Sequence, residues 1–226
     1  MKEELKKQAA QRAVEFVRDG QIVGLGTGST TKFAIEGLGE RVKQGLKITG
    51  VPTSLGSERM AKELGIPLVD LNEVTRIDID IDGADETDGD FNMIKGGGGA
   101  LTREKLVALA AERVIIIVDE SKLVERLGHS WPVPVEVLPF AWNMSARLLT
   151  ELGSTPRLRE KDGNVFVTDN GNYILDCAFG LIADAPALEK KIKQLPGVVE
   201  VGLFIGLCHT LVIANDNEVR VEERPA

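Results

Sequence analysis

The chain contains 226 residues, of which 43% are hydrophobic and 27% are charged. These are the values of an ordinary globular protein and exclude a disordered chain, and the length allows one large domain or two modest ones. The net charge of −8 argues against a nucleic-acid partner, which needs a basic surface for the phosphate backbone.

The beginning of the chain is amphipathic and charged. Residues 1–20 contain no uninterrupted apolar stretch that could serve as a signal peptide or as a membrane span. Cys177 and Cys208 lie far apart in the sequence among apolar neighbours, a context that does not favour a disulfide. We therefore expect a cytoplasmic protein with reduced thiols and no membrane contact.

Helical and strand patterns alternate through the first half of the chain. The first helix, marked by apolar residues at helical spacing from Leu5 to Phe16, ends at Gly20. The segments that follow are predicted as strand 21–25, helix 30–42, strand 46–51, helix 54–64, strand 66–69, a strand of alternating Ile and Asp within 76–86, helix 100–113 and strand 114–120. This alternation predicts an α/β fold in which a parallel sheet carries helices on both faces, as in Rossmann-like domains.

The pattern changes after Leu127, where prolines interrupt a Val-rich strand. The order that follows is strand, helix, two strands with an extra hairpin, strand, helix and strand, which predicts a small α+β domain of the split βαβ (ferredoxin-like) type over residues 127–206. Two strands with a turn at residues 215–217 end the chain. We expect them to return to the large domain, which then comprises residues 1–126 and 207–226.

A glycine-rich loop, "GLGTGST", follows the first predicted strand. It fits neither the dinucleotide fingerprint, because Ser29 and Thr31 stand where glycines are needed, nor the P-loop, which requires Gly-Lys-Ser/Thr. A strand, a glycine turn and a helix N-terminus nevertheless present free N–H groups to an anion, and the residues Thr27, Gly28, Ser29 and Thr30 are the candidates. A tight turn with a helix cap is an equally good interpretation of the loop alone.

An acidic stretch, "DIDIDGADE", matches the first half of an EF-hand calcium loop. The bidentate glutamate of an EF-hand should fall at position 89, which is Gly89, so the calcium interpretation fails. In a strand, Asp78, Asp80 and Asp82 share one face. The residues Asp82, Gly83, Ala84 and Asp85 then stand at the strand's carboxyl end, where open α/β sheets bind ligands. The alternative is a solvated acidic turn.

Two further stretches carry candidate residues. In "KGGGGALTREK", Lys95 precedes Gly96, Gly97, Gly98 and Gly99, a glycine run that is entropically costly unless something must approach the backbone closely. Glu104 lies in the helix that follows, where a lone glutamate is usually a helix-dipole carboxylate. In "DESK", Lys122 follows a buried strand, and a lone surface lysine is usually only solvated.

These signals share a place in the predicted fold. Each falls at the carboxyl end of a parallel strand or on the helix that follows, so we expect them to converge on one crevice. His129 and His209 stand outside it and are expected to be structural. The sequence offers no His/Cys metal cluster and no Ser-His-Asp or cysteine nucleophile pattern, so we expect no metal site.

The motifs together resemble a known family. "GLGTGST", "DGADE", "KGGGGALTREK", "DESK", "PVPVEVLP" and "VTDNGNYILD" occur in the order and spacing of type A ribose-5-phosphate isomerase, and the resemblance covers essentially the whole chain. It implies a cofactor-free aldose–ketose isomerase that interconverts ribose 5-phosphate and ribulose 5-phosphate through an enediolate. It also implies a homodimer or homotetramer.

The resemblance assigns roles to the candidate residues. Glu104 is similar to the family's proton acceptor, Lys95 can stabilise the oxyanion, and Asp82 and Asp85 are similar to the pair that handles sugar hydroxyls and ring opening. The substrate-binding residues that it implies are Thr27, Gly28, Ser29, Thr30, Asp82, Gly83, Ala84, Asp85, Lys95, Gly96, Gly97, Gly98 and Lys122.

Two other functions stay open at the level of the sequence. A non-catalytic sugar-phosphate sensor needs the anion-binding loops but not Glu104, and it normally carries a DNA-binding segment, which this acidic chain does not offer. An enzyme acting on a different phosphorylated sugar is the second, since the fold alone does not identify the substrate.

Overall fold

The computed structural model describes residues 2–225, which divide into two compact units. The first unit consists of the described residues up to Ala84, Arg103–Lys122 and the residues from Leu207 onward. The second consists of Asp85–Thr102 and Leu123–Gly206.

The elements alternate along the chain as follows. The helices are α1 (Lys2–Val14), α2 (Thr31–Lys43), α3 (Leu55–Glu63), α4 (Leu101–Ala110), α5 (Trp142–Glu151) and α6 (Ala185–Lys193), with 3₁₀ turns at Leu71–Glu73 and Glu120–Lys122. The strands are β1 (Ile22–Leu25), β2 (Thr49–Pro52), β3 (Ile77–Gly83), β4 (Glu86–Thr87), β5 (Met93–Ile94), β6 (Ala111–Asp119), β7 (Val133–Val137), β8 (Thr155–Leu158), β9 (Glu160–Lys161), β10 (Asn164–Val165), β11 (Tyr173–Ala178), β12 (Val198–Val201), β13 (Leu203–Phe204), β14 (Thr210–Ala214) and β15 (Val219–Glu223).

The first unit is built on a six-stranded sheet in the order β15-β14-β6-β3-β1-β2. Neighbouring strands are parallel except for the edge strand β15, which pairs antiparallel with β14. Strand β6 contains a run of buried β-branched residues, as expected for a central parallel strand, whereas β3 alternates Ile and Asp. The predicted α/β class is confirmed.

Helices cover both faces of this sheet. On one face, α1 and α2 bury Ala9, Ala13, Ala34 and Leu38 in one cluster with Val23, Ile79, Ile81, Ile115 and Val212 of the strands. On the other face, Val107 of α4 packs with Val51 of β2. Gly24 and Asp80 belong to that second face, because Val51, Gly24 and Asp80 are register partners and therefore point to the same side.

The second unit contains a four-stranded antiparallel sheet in the order β12-β7-β11-β8. With α5 between β7 and β8 and α6 between β11 and β12, this is the split βαβ arrangement that the sequence predicts. A three-stranded sheet, β13-β5-β4, and a short hairpin of β9 and β10 complete the unit.

Three local features differ from the predictions. Residues 66–69 form no strand and contribute only an isolated bridge from Leu68 to Gly50. Helix α4 ends at Ala110 rather than at residue 113, because Ala111 and Arg113 already pair with β3. Asp85–Thr102 and residues 123–126, predicted to lie in the large domain, belong to the second unit, where β5 pairs with β13.

None of the helices within residues 2–225 combines the length and the apolar character that crossing a bilayer requires.

Candidate active site

The glycines of the first loop lie directly against the acidic strand. Gly24 is the register partner of Asp80, and a Cβ atom placed on Gly24 would lie 2.4 Å from Asp80 Oδ1. A Cβ atom on Gly26 would lie 2.3 Å from Asp82 Oδ1. Because real Cβ atoms do not approach oxygen so closely, only glycine at both positions lets the two carboxylates lie over the backbone of β1.

The carboxylate of Asp82 is held by backbone N–H groups. Its Oδ1 accepts hydrogen bonds from the N–H of Thr27 at 3.1 Å and from the N–H of Gly83 at 2.7 Å. Asp80 and Asp82 are each only 1% exposed. The interpretation of this stretch as a solvated acidic turn is therefore wrong, because α4 and the glycine loop cover the face that the aspartates share.

Thr27 also joins the loop to the end of the neighbouring strand β2. Its Oγ1 lies 2.8 Å from Thr53 Oγ1 and donates to Ser54 Oγ at 2.8 Å. Ser54 in turn caps α3 in a capping box with Ser57. The sequence analysis missed Thr53 and Ser54, although their place directly after a strand was the signal that could have found them.

The rest of the loop leads into α2. Gly28 has φ +135°, a conformation that favours glycine, and its carbonyl accepts a hydrogen bond from Thr31 Oγ1 at 3.0 Å. Thr30 occupies the N-cap position of α2 and makes no side-chain cap bond. Ser29 Oγ accepts from Lys6 Nζ at 2.8 Å. Lys6, which the sequence analysis also missed, thus brings an ammonium group from α1 to this loop.

Glu104 lies on the buried side of α4 and is 2% exposed. Val107 stands three residues later on the same helix face. A Cβ atom on Gly24 would lie 2.7 Å from Val107 Cγ1, so this helix face covers the sheet where Asp80 lies. The first unit therefore gathers Glu104 and two aspartates on one side of the sheet, next to the glycine loop.

Lys122 ends the 3₁₀ turn that follows β6 and is half-buried. Since β6 is separated from β1 by β3 alone, with neighbouring strands about 4.8 Å apart, Lys122 and the glycine loop stand at the same carboxyl edge of the sheet.

The remaining predicted site residues belong to the second unit. Asp85 is half-buried, and its Oδ2 accepts a hydrogen bond from the N–H of Gly97 at 2.7 Å. Lys95 is 3% exposed and its Nζ lies 5.3 Å from the centroid of the Phe204 ring, a cation–π contact. Asp85, Lys95 and the glycine run thus form one group within this unit.

The predicted site residues therefore fall into two sets. The first unit carries Thr27, Gly28, Ser29, Thr30, Asp82, Gly83, Ala84, Glu104 and Lys122, and the second carries Asp85, Lys95, Gly96, Gly97 and Gly98. That both sets serve one crevice stays a prediction.

The two histidines have local partners. His209 Nδ1 accepts a hydrogen bond from the N–H of Val114 at 3.0 Å, and His129 Nδ1 lies 2.8 Å from Ser130 Oγ. Among residues 2–225, no three His, Cys, Asp or Glu side chains are placed so that they could hold a metal ion.

One family model and several known proteins resemble the chain. A model described as ribose 5-phosphate isomerase A (phosphoriboisomerase A) matches residues 49–218. A ribose-5-phosphate isomerase A of Gloeobacter violaceus is 53% identical over 218 residues, which cover 96% of this chain and 95% of that protein. The solved structure of ribose 5-phosphate isomerase A from Methanocaldococcus jannaschii is 42% identical, with a TM-score of 0.94 over 99% of this chain and 100% of that one. A solved D-ribose-5-phosphate isomerase in complex with phospho-erythronic acid is 41% identical, with a TM-score of 0.96 over 99% of this chain and 100% of that one.

Proposed function

The chain belongs to the ribose 5-phosphate isomerase A family and interconverts ribose 5-phosphate and ribulose 5-phosphate, and we propose that Glu104 is the base that moves the proton. The position of Glu104 supports this assignment most directly. Its side chain is buried on the face of α4 that covers the acidic strand β3 beside the glycine loop. This activity is a step of the pentose phosphate pathway. The family excludes the non-catalytic sensor as the function of this chain.

The reaction requires one group that accepts and returns a proton. In the open-chain aldose the proton leaves C2, an enediolate forms, and the proton is delivered to C1 to give the ketose. A carboxylate can reach both carbons because they are neighbours. The near-complete burial of Glu104 keeps bulk water away from the proton that it carries.

Asp82 is suited to contact the sugar hydroxyls. Two backbone N–H groups fix its Oδ1, so the orientation of the whole carboxylate is set before substrate arrives. We assign it, together with Asp85, to ring opening and to proton transfers at the sugar oxygens. In the second unit we assign Lys95 to the oxyanion that develops in the enediolate and Gly96–Gly98 to backbone contacts with the substrate.

The phosphate of the substrate is assigned to the glycine loop and two lysines. The backbone N–H groups and the hydroxyls of Ser29 and Thr30, in the loop before α2, are the proposed donors for the anion. Lys6, which donates to Ser29 Oγ, and Lys122, at the same edge of the sheet, supply positive charge. A solved relative holds phospho-erythronic acid, which supports a phosphorylated ligand for this chain as well.

We expect the enzyme to act in the cytoplasm as a homodimer or homotetramer. Support for self-association comes from three exposed apolar side chains close together in the sequence of the second unit: Leu138, Phe140 and Met144. Phe140 is 90% exposed, and apolar groups of this kind often mark protein interfaces.

The substitution Glu104→Gln tests the proposed base. Glutamine nearly keeps the shape of glutamate but cannot accept the C2 proton, and general-base catalysis is typically worth about 10²–10⁴-fold. We expect kcat to fall by at least that factor, solvent-deuterium exchange at C2 to disappear, and the affinity for phospho-erythronic acid to stay within about tenfold. The assay is run in a chelator, because no metal is expected to take part.

Glu112→Gln is the matched control. Glu112 is an exposed residue of the first unit that pairs with Arg76, so its substitution should leave kcat unchanged. Near-normal turnover of Glu104→Gln would show that Glu104 only interacts with the helix dipole. Asp82 or Asp85 would then be the candidate base.

A further inference from the structure

The guanidinium of Arg159 reaches the carbonyls of the glycine run. Its Nη1 donates to the carbonyl oxygen of Gly96 at 2.8 Å and to that of Gly97 at 3.2 Å. Its Nε donates to Asp176 Oδ2 at 2.9 Å, and its Nη2 pairs with Asp176 Oδ1. Arg159 follows β8 in the second unit, and its side chain is only 14% exposed. The contact with the glycine run is therefore largely buried.

The peptide between Gly96 and Gly97 is held from both sides. In a planar trans peptide the C=O and N–H bonds point in opposite directions. The carbonyl of Gly96 accepts from Arg159, while the N–H of Gly97 donates to Asp85 at 2.7 Å. One peptide group therefore links the guanidinium to the carboxylate of Asp85.

The next peptide follows the same rule. Because the carbonyl of Gly97 accepts from Arg159, the N–H of Gly98 points away from the guanidinium, and Gly98 is the exposed member of the run. The ring of Phe166 packs against the last glycine of the run, since a Cβ atom on Gly99 would lie 2.4 Å from Phe166 Cζ. The centroid of the Phe166 ring lies 5.9 Å from the guanidinium carbon of Arg159.

We propose that Arg159 is a positioning residue of the isomerase: it orients two successive peptides of the glycine run so that the Gly98 N–H faces the substrate and Asp85 is held in place. Asp176 pairs with the opposite edge of the guanidinium, at Nε and Nη2, and leaves Nη1 to the two carbonyls. The inference rests on the proposed role of Gly96–Gly98 and Asp85 in substrate binding.

Lysine is the informative replacement for Arg159. A planar guanidinium can donate side-on to a carboxylate and at the same time to two carbonyls. A single ammonium keeps the charge and can pair with Asp176, but it cannot also hold both carbonyls. Arg159→Lys therefore separates the ion pair from the contact with the glycine run. Asp176→Asn is the matched variant, because it removes the ion pair and leaves Arg159 able to reach the carbonyls.

The experiment measures kcat, KM, inhibition by inorganic phosphate and thermal unfolding for both variants. We expect Arg159→Lys to lower kcat by about 10- to 100-fold, as small misplacements of reacting groups do. Its phosphate inhibition constant should stay within about twofold of the unmodified protein's. Asp176→Asn should keep kcat within about threefold although it unfolds at a lower temperature. If Arg159→Lys does not fold, Arg159→Gln takes its place with the same expected direction.

Two outcomes overturn the proposal. A kcat within about threefold of normal for the Arg159 variant does so, and so does an equal loss of kcat in both variants, which indicates a merely structural ion pair. Gly97→Ala tests the proposed role of the glycine run separately from the role of Arg159. Its Cβ atom would lie 2.6 Å from Asp85 Oδ1, so the substitution disturbs the glycine run and Asp85 directly. Normal kcat in Gly97→Ala contradicts the role of the glycine run, whereas a loss there with no loss in Arg159→Lys overturns the inference about Arg159 alone.

Discussion

Backbone N–H groups hold two carboxylates of the candidate site, those of Asp82 and Asp85. Asp82 takes its orientation from two N–H groups, and Asp85 from one. Backbone donors lose little conformational freedom when a substrate arrives, so these carboxylates are pre-organised. Lys6 and Lys122, which we propose as phosphate ligands, differ from these carboxylates because their ammonium groups lie at the ends of flexible stems.

Lys122→Ala should weaken substrate binding more than turnover. A hydrogen bond to a charged group contributes about 1.5–3 kcal/mol, which corresponds to a rise in KM of roughly 10- to 150-fold at nearly constant kcat. Steady-state kinetics and inhibition by inorganic phosphate measure this effect. Lys43→Ala, at an exposed lysine near the end of α2, is the control and should leave both constants unchanged. An unchanged KM in Lys122→Ala would remove this lysine from the phosphate site.

At the scale of elements, the approach of β1 to β3 depends on glycine. Gly26→Ala would place a Cβ atom 2.3 Å from Asp82 Oδ1 and 2.6 Å from the carbonyl oxygen of Ile81, so the carboxylate or the strand must move. We expect kcat/KM to fall on the order of 10²-fold, because the displaced group is a candidate site residue. Activity assays together with urea unfolding measure the two effects separately.

Gly37→Ala in α2 is the matched glycine control. Its Cβ atom would meet Val14 Cγ2 at 3.5 Å, an ordinary contact, so alanine should preserve activity and stabilise the helix by about 0.5–1 kcal/mol. If Gly26→Ala proves as harmless as Gly37→Ala, the close packing of β1 on the aspartates does not matter for the reaction.

His209 joins β6 to the start of β14 and makes the stability of this pair depend on pH. Burial, followed by the positive charges of Arg224 and Arg113, lowers the pKa of His209 below its ordinary value of 6.5. The neutral ring accepts the Val114 N–H, and protonation removes that acceptor. The unfolded chain therefore binds the proton more readily. The stability that neutral His209 contributes is complete above about pH 6.5 and is lost as the pH falls below 6.5 through the lowered pKa of the folded state.

Urea unfolding of the unmodified protein and of His209→Gln between pH 5 and 8 checks this prediction. Glutamine offers an acceptor that does not titrate, so the difference in unfolding free energy should shift in favour of the variant as the pH falls below 6.5. A difference that does not change with pH would contradict the assigned shift.

Part of the site could be predicted from the sequence because its signals are local. The alternation of Ile and Asp predicts β3, and the glycine loop after a strand predicts the start of α2. The burial of Asp80 and Asp82 could not be predicted, since it depends on α4 covering the second face of the sheet. The contacts of Thr27 with Thr53 and Ser54 require β2 to be the neighbour of β1, and the contact of Lys6 with Ser29 requires the docking of α1. These are long-range facts that no local pattern contains.

At the scale of the whole molecule, we predict self-association. Light scattering at micromolar concentrations should give the mass of a dimer or a tetramer. Phe140→Asp should lower that mass, because it puts a charge into the exposed apolar group of Leu138, Phe140 and Met144. Leu181→Asp, at a residue 58% exposed elsewhere in the second unit's sequence, is the control. A monomeric mass for the unmodified protein would contradict the prediction.

The order of the strands along the chain has a consequence for synthesis. Residues 114–118 of β6 are buried aliphatic residues, and one of the two partners of this strand, β14, is among the last segments to be translated. At about 5–20 residues per second, the ribosome leaves the β14 side of β6 unpaired for several seconds after the strand has been made. An apolar strand edge of this kind is a template for aggregation. We therefore expect the nascent chain to depend on chaperones, or on delayed compaction, until β14 has been made.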